Sequence, residues 1–136
     1  MVPAKPIVLV AAAALIREHR VLLAQRPQGK AMAGLWEFPG GKVETGETPE
    51  LALVRELHEE LGIIINASDL RPLTFASHTY ERFHLLMPVF ECRNWAGEFA
   101  LSEHQAMAWV AAAELENYPM PPADIPLIEH LKRALG

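Results

Sequence analysis

Three carboxylates, Glu56, Glu59 and Glu60, fall within the stretch VRELHEELG at residues 54–62. At 3.6 residues per turn, Glu60 lies roughly 40° around a helix from Glu56 and Glu59 roughly 60° the other way, so a helix here carries all three on one side. Local stability does not select that arrangement. Like charges at spacings of three and four repel by a few tenths of a kcal/mol per pair, and the negative end of the helix adds about 0.3 to 1 kcal/mol per acid. A bound dication reverses both effects, and hard oxygen donors suit Mg²⁺ or Mn²⁺ better than zinc. The same three acids would also suit a solvated face, with Arg55 pairing Glu59 as an ordinary surface bridge. The preceding loop favours the ligand. In EFPGGKVETGE, residues 37–47, Gly40, Gly41 and Gly46 free the backbone to approach a bound group closely and set carbonyls beside the acids.

The element that must hold these acids is a helix over 48–61. Thr48 caps it, Pro49 suits its first position, Glu50 meets its positive end and Gly62 suits the left-handed residue that stops it. Leu51, Val54, Leu57, His58 and Leu61 trace a mostly apolar face for a sheet to cover. Periodicity predicts strands near 7–16, 20–25, 35–38, 70–78, 83–92 and 105–111, a short helix near 112–117 and a last helix near 124–135. YPMPP separates the two C-terminal helices, since its prolines cannot sit inside one. RPQGKAMAG, residues 26–34, reads as a loop of the kind on which binding groups are mounted.

The chain has 136 residues, half of them apolar, which suits a single domain spanning 1–136 around one core. Its net charge is −5, with no basic stripe, so nucleic acid is excluded as a partner. One cysteine, Cys92, allows no intrachain disulfide and points to the cytoplasm. KPIVLVAAAALIREHR has the lysine and apolar run of a secretory leader. Ten apolar residues are too few to span a membrane, however, and two strands joined by a polar turn account for this run and for the following VLLAQR, so no membrane partner is expected.

Gly41, five residues, Glu47, seven residues, Arg55-Glu56-Leu57, one residue, Glu59-Glu60, one residue and Gly62-Ile63 resemble the Nudix box without a departure. Nine positions at fixed spacing over 41–63 make the motif far more specific than a glycine-rich loop alone. The longer string GLWEFPGGKVETGETPELALVRELHEELGI is similar to the MutT-like branch of that family, whose members hydrolyse nucleoside triphosphates, notably oxidised ones. The resemblance implies an α/β fold, an α/β/α sandwich with a mixed β-sheet. It implies Mg²⁺, with Mn²⁺ as a substitute, held by Glu56, Glu59, Glu60 and the carbonyl of Gly40. Glu47 and Arg55 would orient these ligands. The implied reaction is attack of water on a phosphorus, releasing pyrophosphate and a nucleoside monophosphate, with Glu56 the first candidate for the general base and Glu103, in LSEHQAMAW, the second.

For the substrate, a nucleoside triphosphate, the resemblance assigns Arg26 to phosphate and Glu37, Phe38 and Pro39 to the nucleoside side of the pocket. Arg82 and His84 are further residues that could reach phosphate or base. The tail YPMPPADIPLIEHL resembles the segment that reads the base, with Asp124 where the MutT-like pattern has Asn. Asn both donates and accepts, matching N7–H and O6 of 8-oxoguanine, whereas an ionised Asp only accepts and would favour donors such as the cytosine amino group; protonated in an apolar pocket, it could donate as well. AGLWEF and PADIP both occur in the CTP pyrophosphohydrolase branch, which widens the expected substrates to CTP, dCTP, 5-hydroxy-CTP and 8-oxo-dGTP. Asp124 also stands where a helix N-cap would, before Ile125 and Pro126. A Nudix fold kept for nucleotide binding alone is the alternative to an enzyme, and a monomer or a homodimer is compatible with either.

Overall fold

IVLVAAAALIR becomes β1 (Ile7–Arg17) in a computed structural model that describes residues 5–101 and 106–136. Its alanine run is explained by burial on both faces. Ala11, Ala13 and Leu15 enter one core, while Ala12, Ala14 and Ile16 enter another on the far side of the sheet. Small side chains at a strand covered on both faces let a helix approach from each side.

The other elements, in chain order, are β2 (Arg20–Gln25), β3 (Trp36–Glu37), β4 (Gly40–Lys42), α1 (Pro49–Leu61), β5 (Arg71–Thr79), β6 (His84–Cys92), β7 (Ala106–Ala111) and α2 (Leu127–Leu135). β1 pairs β6 in parallel, and every other pairing is antiparallel, so the seven-stranded sheet is mixed. A two-residue turn joins β1 to β2, with Glu18 and His19 both at positive φ, 53° and 61°. That is the hairpin geometry whose twist matches the strands.

β1 and β2 pair only at Ile16↔Val21 and Arg17↔Arg20. Beyond that they splay, and the segment from Trp36 to Lys42 enters the gap. Glu37 pairs Ala24 of β2, while Gly40 pairs Ala12 of β1. A Cβ on Gly40 would lie 2.0 Å from the carbonyl oxygen of Ala11, so only glycine allows this insertion. Sequence periodicity predicts one strand over 35–38. The chain instead forms two short strands, because it changes partners at Phe38–Pro39 and its glycines pair with β1 rather than looping free.

α1 covers one face of the sheet through Leu53, Leu57 and Leu61, all fully buried, at about 2 kcal/mol each for removal from water. Leu51, which the apolar pattern assigns to this face, is 51% exposed, and His58 is exposed too. Both stand roughly 100° to 120° around the helix from Leu57 and so miss the sheet. The caps form as expected. Thr48 Oγ1 accepts the Leu51 N–H at 3.2 Å, and Gly62 takes the left-handed conformation at φ 74°. α2 covers the opposite face through Leu127, Ile128, Leu131 and Leu135.

In the C-terminal region the short helix keeps its expected bounds and the last one does not. Residues 112–117 form a 3-10 helix, ended before Pro119. Residues 122–126 form turns, so the last helix begins at Leu127 rather than 124. Pro126 occupies its N-cap with no side-chain cap, and Asp124 therefore does not cap α2.

Candidate active site

On α1 the three acids separate by angle. Glu60 and Glu56 lie roughly 60° and 100° from the buried Leu57 line, while Glu59 lies roughly 160° away, on the outer side. The Glu56 side chain is accordingly 15% exposed and that of Glu59 is 59% exposed. Glu56 is fixed by Arg55, whose Nη1 donates to Oε1 at 2.8 Å. The same guanidinium grips Glu47 with two bonds, from Nε at 2.8 Å and Nη2 at 2.9 Å, and its Nη2 also reaches the carbonyl of Lys42 at 3.1 Å. Two parallel bonds to one carboxylate are the strong form of this pairing. Arg55 holds the Glu47 carboxyl down at about 2, and its own pKa is raised, chiefly by its bonds to Glu47 and Glu56. Arg55 therefore ties the glycine-rich loop, β4 and the helix into one piece, with Glu59 Oε2 only 3.6 Å from Nη1.

Gly41 completes this corner. A Cβ there would meet both Glu56 carboxylate oxygens at 2.6 Å, so the loop leaves a space of one methyl group that the carboxylate occupies. Glu56, Glu60, Gly40 and Gly41 form one rim of a cleft of ≈ 590 Å³. Its floor is Val8, Val10 and Ala12 of β1 with Leu85 and Met87 of β6. Its lining also includes Phe38 and Asp124. A largely apolar lining with a few polar groups is the usual form of a small-molecule site.

Asp124 is 5% exposed. Burial, reinforced by the nearby charge of Glu37, pushes its carboxyl up to about 7, while the Phe38 N–H that donates to it and the charge of Arg26 pull the other way. Arg26 does not extend freely toward a phosphate. Its Nη1 donates to Glu37 Oε1 at 2.9 Å and its Nε to the carbonyl of Ala31 at 2.8 Å, so it braces the 26–34 loop against β3. Both Arg26 and Glu37 line the cleft.

Several expected residues stand elsewhere. Pro39 is buried away from the cleft lining, its carbonyl accepting the Ala13 N–H at 2.8 Å, because it sits where β3 hands over to β4. His84 is engaged on the sheet surface by Ser77 Oγ and Thr79 Oγ1, each at 2.7 Å, and Arg82 is exposed in the β5–β6 turn. Neither lines the cleft. Glu59 is not part of its lining either, and Glu103 lies outside the described residues. Conversely, Tyr80 and Phe83 line the cleft although nothing in their spacing marks them. An aromatic residue at a strand end reads as core until the β5–β6 turn is seen to overhang the floor.

The donor set suits a hard dication: carboxylates of Glu56 and Glu60 and the backbone around Gly40 meet on one rim, with no sulfur or imidazole among them. Among the described residues no three acidic, His or Cys side chains already stand in ligating geometry. Glu56 is turned onto Arg55 and Glu59 outward, which lowers the repulsion between like charges.

The NUDIX domain family matches residues 11–130. The chain is 43% identical over 122 residues to the CTP pyrophosphohydrolase of Escherichia coli (strain K12), covering 88% of this chain and 87% of that protein. It is 38% identical over 135 residues to the 8-oxo-dGTP diphosphatase of Haemophilus influenzae, covering 93% of each. Among solved structures, the E. coli ORF135 protein in solution superposes with a TM-score of 0.83 at 38% identity, over 95% of this chain and 91% of that one. A MutT NUDIX hydrolase crystal structure from Burkholderia pseudomallei superposes with a TM-score of 0.83 at 30% identity, over 93% and 98%.

Proposed function

The chain belongs to the Nudix hydrolase family, and from that premise we propose that it is a Mg²⁺-dependent pyrophosphohydrolase that removes oxidised nucleoside triphosphates, 8-oxo-dGTP in particular. Mn²⁺ is the substitute ion, and the cytoplasm, where the nucleotide pool lies, is its place of action. The observation that carries this reading is a cleft whose lining brings together the helix carboxylates Glu56 and Glu60 and a buried carboxyl, Asp124. In this reading the triphosphate lies toward the acids while the base lies toward Asp124.

Glu56, Glu59, Glu60 and the Gly40 carbonyl would hold the ion. When bound, the metal neutralises phosphate charge, orients the chain for in-line displacement and acidifies water. Glu56 is the first candidate to accept the proton of the attacking water as the new P–O bond forms and the anhydride P–O bond breaks, with pyrophosphate leaving. Arg55 keeps that carboxylate in register with the loop and stays out of the chemistry itself. Glu103 is the second candidate. Phe38 packs against the base, and Arg26 with Glu37 shapes the mouth of the cleft.

A second reading has CTP, dCTP or 5-hydroxy-CTP as the preferred substrate. Asp124 favours it, since in its ionised form it accepts from an exocyclic amino group. Measuring kcat/KM for dGTP, 8-oxo-dGTP, CTP and 5-hydroxy-CTP, with wild type and Asp124→Asn, decides between them. The substitution is expected to reorder the four, and an unchanged order removes Asp124 as the base reader. A fold kept only for binding predicts no pyrophosphate release with any of them in Mg²⁺.

A further inference from the structure

In its ionised form Asp124 leaves a gap in the recognition chemistry: a carboxylate accepts hydrogen bonds but donates none, and each favoured base has an acceptor beside its donor. We propose that Tyr80 supplies the missing donor, its hydroxyl and the Asp124 carboxylate together forming an acceptor–donor pair that reads the base edge. This rests on the reading of Asp124 given above.

Tyr80 follows the end of β5, half-buried, and lines the same cleft. Its position is set from several sides. The backbone N–H of Tyr80 donates to the carbonyl of Phe83 at 2.8 Å, closing the β5–β6 turn, and its own carbonyl accepts from Lys5 Nζ at 2.8 Å. The ring lies against His78 and Phe83, with centroids 4.6 and 5.2 Å away. The hydroxyl oxygen then crosses to the C-terminal turn and accepts the backbone N–H of Ala123 at 3.1 Å. That residue precedes Asp124, so the phenol stands beside the carboxyl.

The Ala123 bond occupies a lone pair and leaves the phenolic proton. Among the described residues that proton meets no acceptor, although the ring faces a cleft. Burial and the neighbouring Asp124 charge both raise the Tyr80 pKa, which keeps the proton in place.

An acceptor next to a donor selects a definite edge. 8-Oxoguanine offers N7–H beside O6 and cytosine offers N4–H beside N3, and both match. Guanine presents a lone pair at N7, which meets the carboxylate oxygen. Uracil reverses the cytosine order, with O4 and N3–H. One pair of side chains thereby accounts for both substrate classes and for rejection of their undamaged or deaminated counterparts.

The test measures kcat and KM for 8-oxo-dGTP, dGTP, CTP and UTP with wild type, Tyr80→Phe, Asp124→Asn and the double variant. Calorimetric Kd values for 8-oxo-dGMP and CMP, taken without metal, accompany them. Tyr80→Phe is expected to raise KM and Kd for the 8-oxoguanine and cytosine compounds about tenfold, the worth of one hydrogen bond. It should leave kcat within about twofold and shrink the preference over dGTP and UTP. An equal loss across all four nucleotides means the hydroxyl only props the Ala123 turn, and the proposal fails. Asp124→Asn reordering the substrates while Tyr80→Phe leaves their ratios alone also overturns it, with the Asp124 reading intact. If Asp124→Asn reorders nothing, both fall together. Should Tyr80→Phe not fold, 3-fluorotyrosine placed at position 80 keeps the hydroxyl and strengthens it as a donor. Tighter binding of 8-oxo-dGMP and CMP is then expected, and unchanged binding refutes the role.

Discussion

Glu56 combines three constraints: it stands beside the buried stripe of α1, it accepts from Arg55, and it fills the space that Gly41 leaves open. Replacing it by Gln preserves shape and the Arg55 contact while removing charge. Steady-state kinetics on Glu56→Gln should therefore show kcat reduced about 100-fold or more with the fold retained, because the charge lost from the Arg55 bond is offset by relief of repulsion among the acids. Unfolding of that variant would mark Glu56 as a structural acid. Gly41→Ala attacks the same corner sterically. Its Cβ would lie 2.4 Å from Glu56 Cδ, so the carboxylate must swing off Arg55, and activity should fall by at least tenfold. Gly46→Ala is the control. Nothing lies within 4 Å of its Cβ, but φ is +86°, so about 1 kcal/mol of stability should be lost with kcat unchanged. Asp124 offers a pH signature. Its carboxyl titrates at about 7 when folded against 3.8 as the ordinary value, through burial first and Glu37 second, opposed by the Phe38 N–H and Arg26. Below pH 4 both states carry the proton and no penalty arises. From about pH 4 to 7 the folded state holds the proton and the unfolded state releases it, so stability falls as pH rises. Urea denaturation across that range should lose a pH-dependent decline, on the order of a few kcal/mol, in Asp124→Asn. An unchanged slope would show that Asp124 is ionised throughout.

α1 is the element whose boundaries were legible, because each end carries its own chemistry: Thr48 accepts the Leu51 N–H, Pro49 needs no partner there, and Gly62 takes φ 74°. Thr48→Ala should cost about 1 kcal/mol in denaturant unfolding, leaving the substrate order untouched. Its buried face was only partly legible. Leu51 and Leu53 are both leucines, and burial chooses between them only once the sheet lies along Leu53, Leu57 and Leu61. β4 was hidden for a related reason. A strand of two glycines and a lysine has no apolar alternation, and it exists because β1 and β2 splay and leave β1 an open edge. The box acids and Arg55 were readable from spacing along one helix. Tyr80 was not, since its partner is 43 residues away and the two meet only through the β5–β6 turn.

At the scale of the whole molecule, two cores lie back to back across β1, and each supports one end of the cleft. The α1 core, built on Leu57 with Ala11 and Ala13, carries the acids, while the α2 core, built on Leu131 with Ala12 and Ala14, includes Ala123 of the turn that holds Asp124. On that face Val8 and Val10 of β1 are only partly buried, and both line the cleft. Leu57→Ala and Leu131→Ala each remove a fully buried leucine and should each cost about 2 to 5 kcal/mol. Their functional effects should separate. Leu57→Ala loosens the helix under the carboxylates, so the Mg²⁺ concentration needed for half-maximal rate should rise and kcat should fall. Leu131→Ala loosens the layer behind the base, so KM should rise and discrimination between 8-oxo-dGTP and dGTP should narrow, with the Mg²⁺ requirement unchanged. Both variants are to be assayed well below their melting temperatures, so that loss of folded protein does not mimic loss of rate. If the two substitutions shift Mg²⁺ dependence and base discrimination alike, the layers act as one mechanical unit and the division of labour across β1 is wrong.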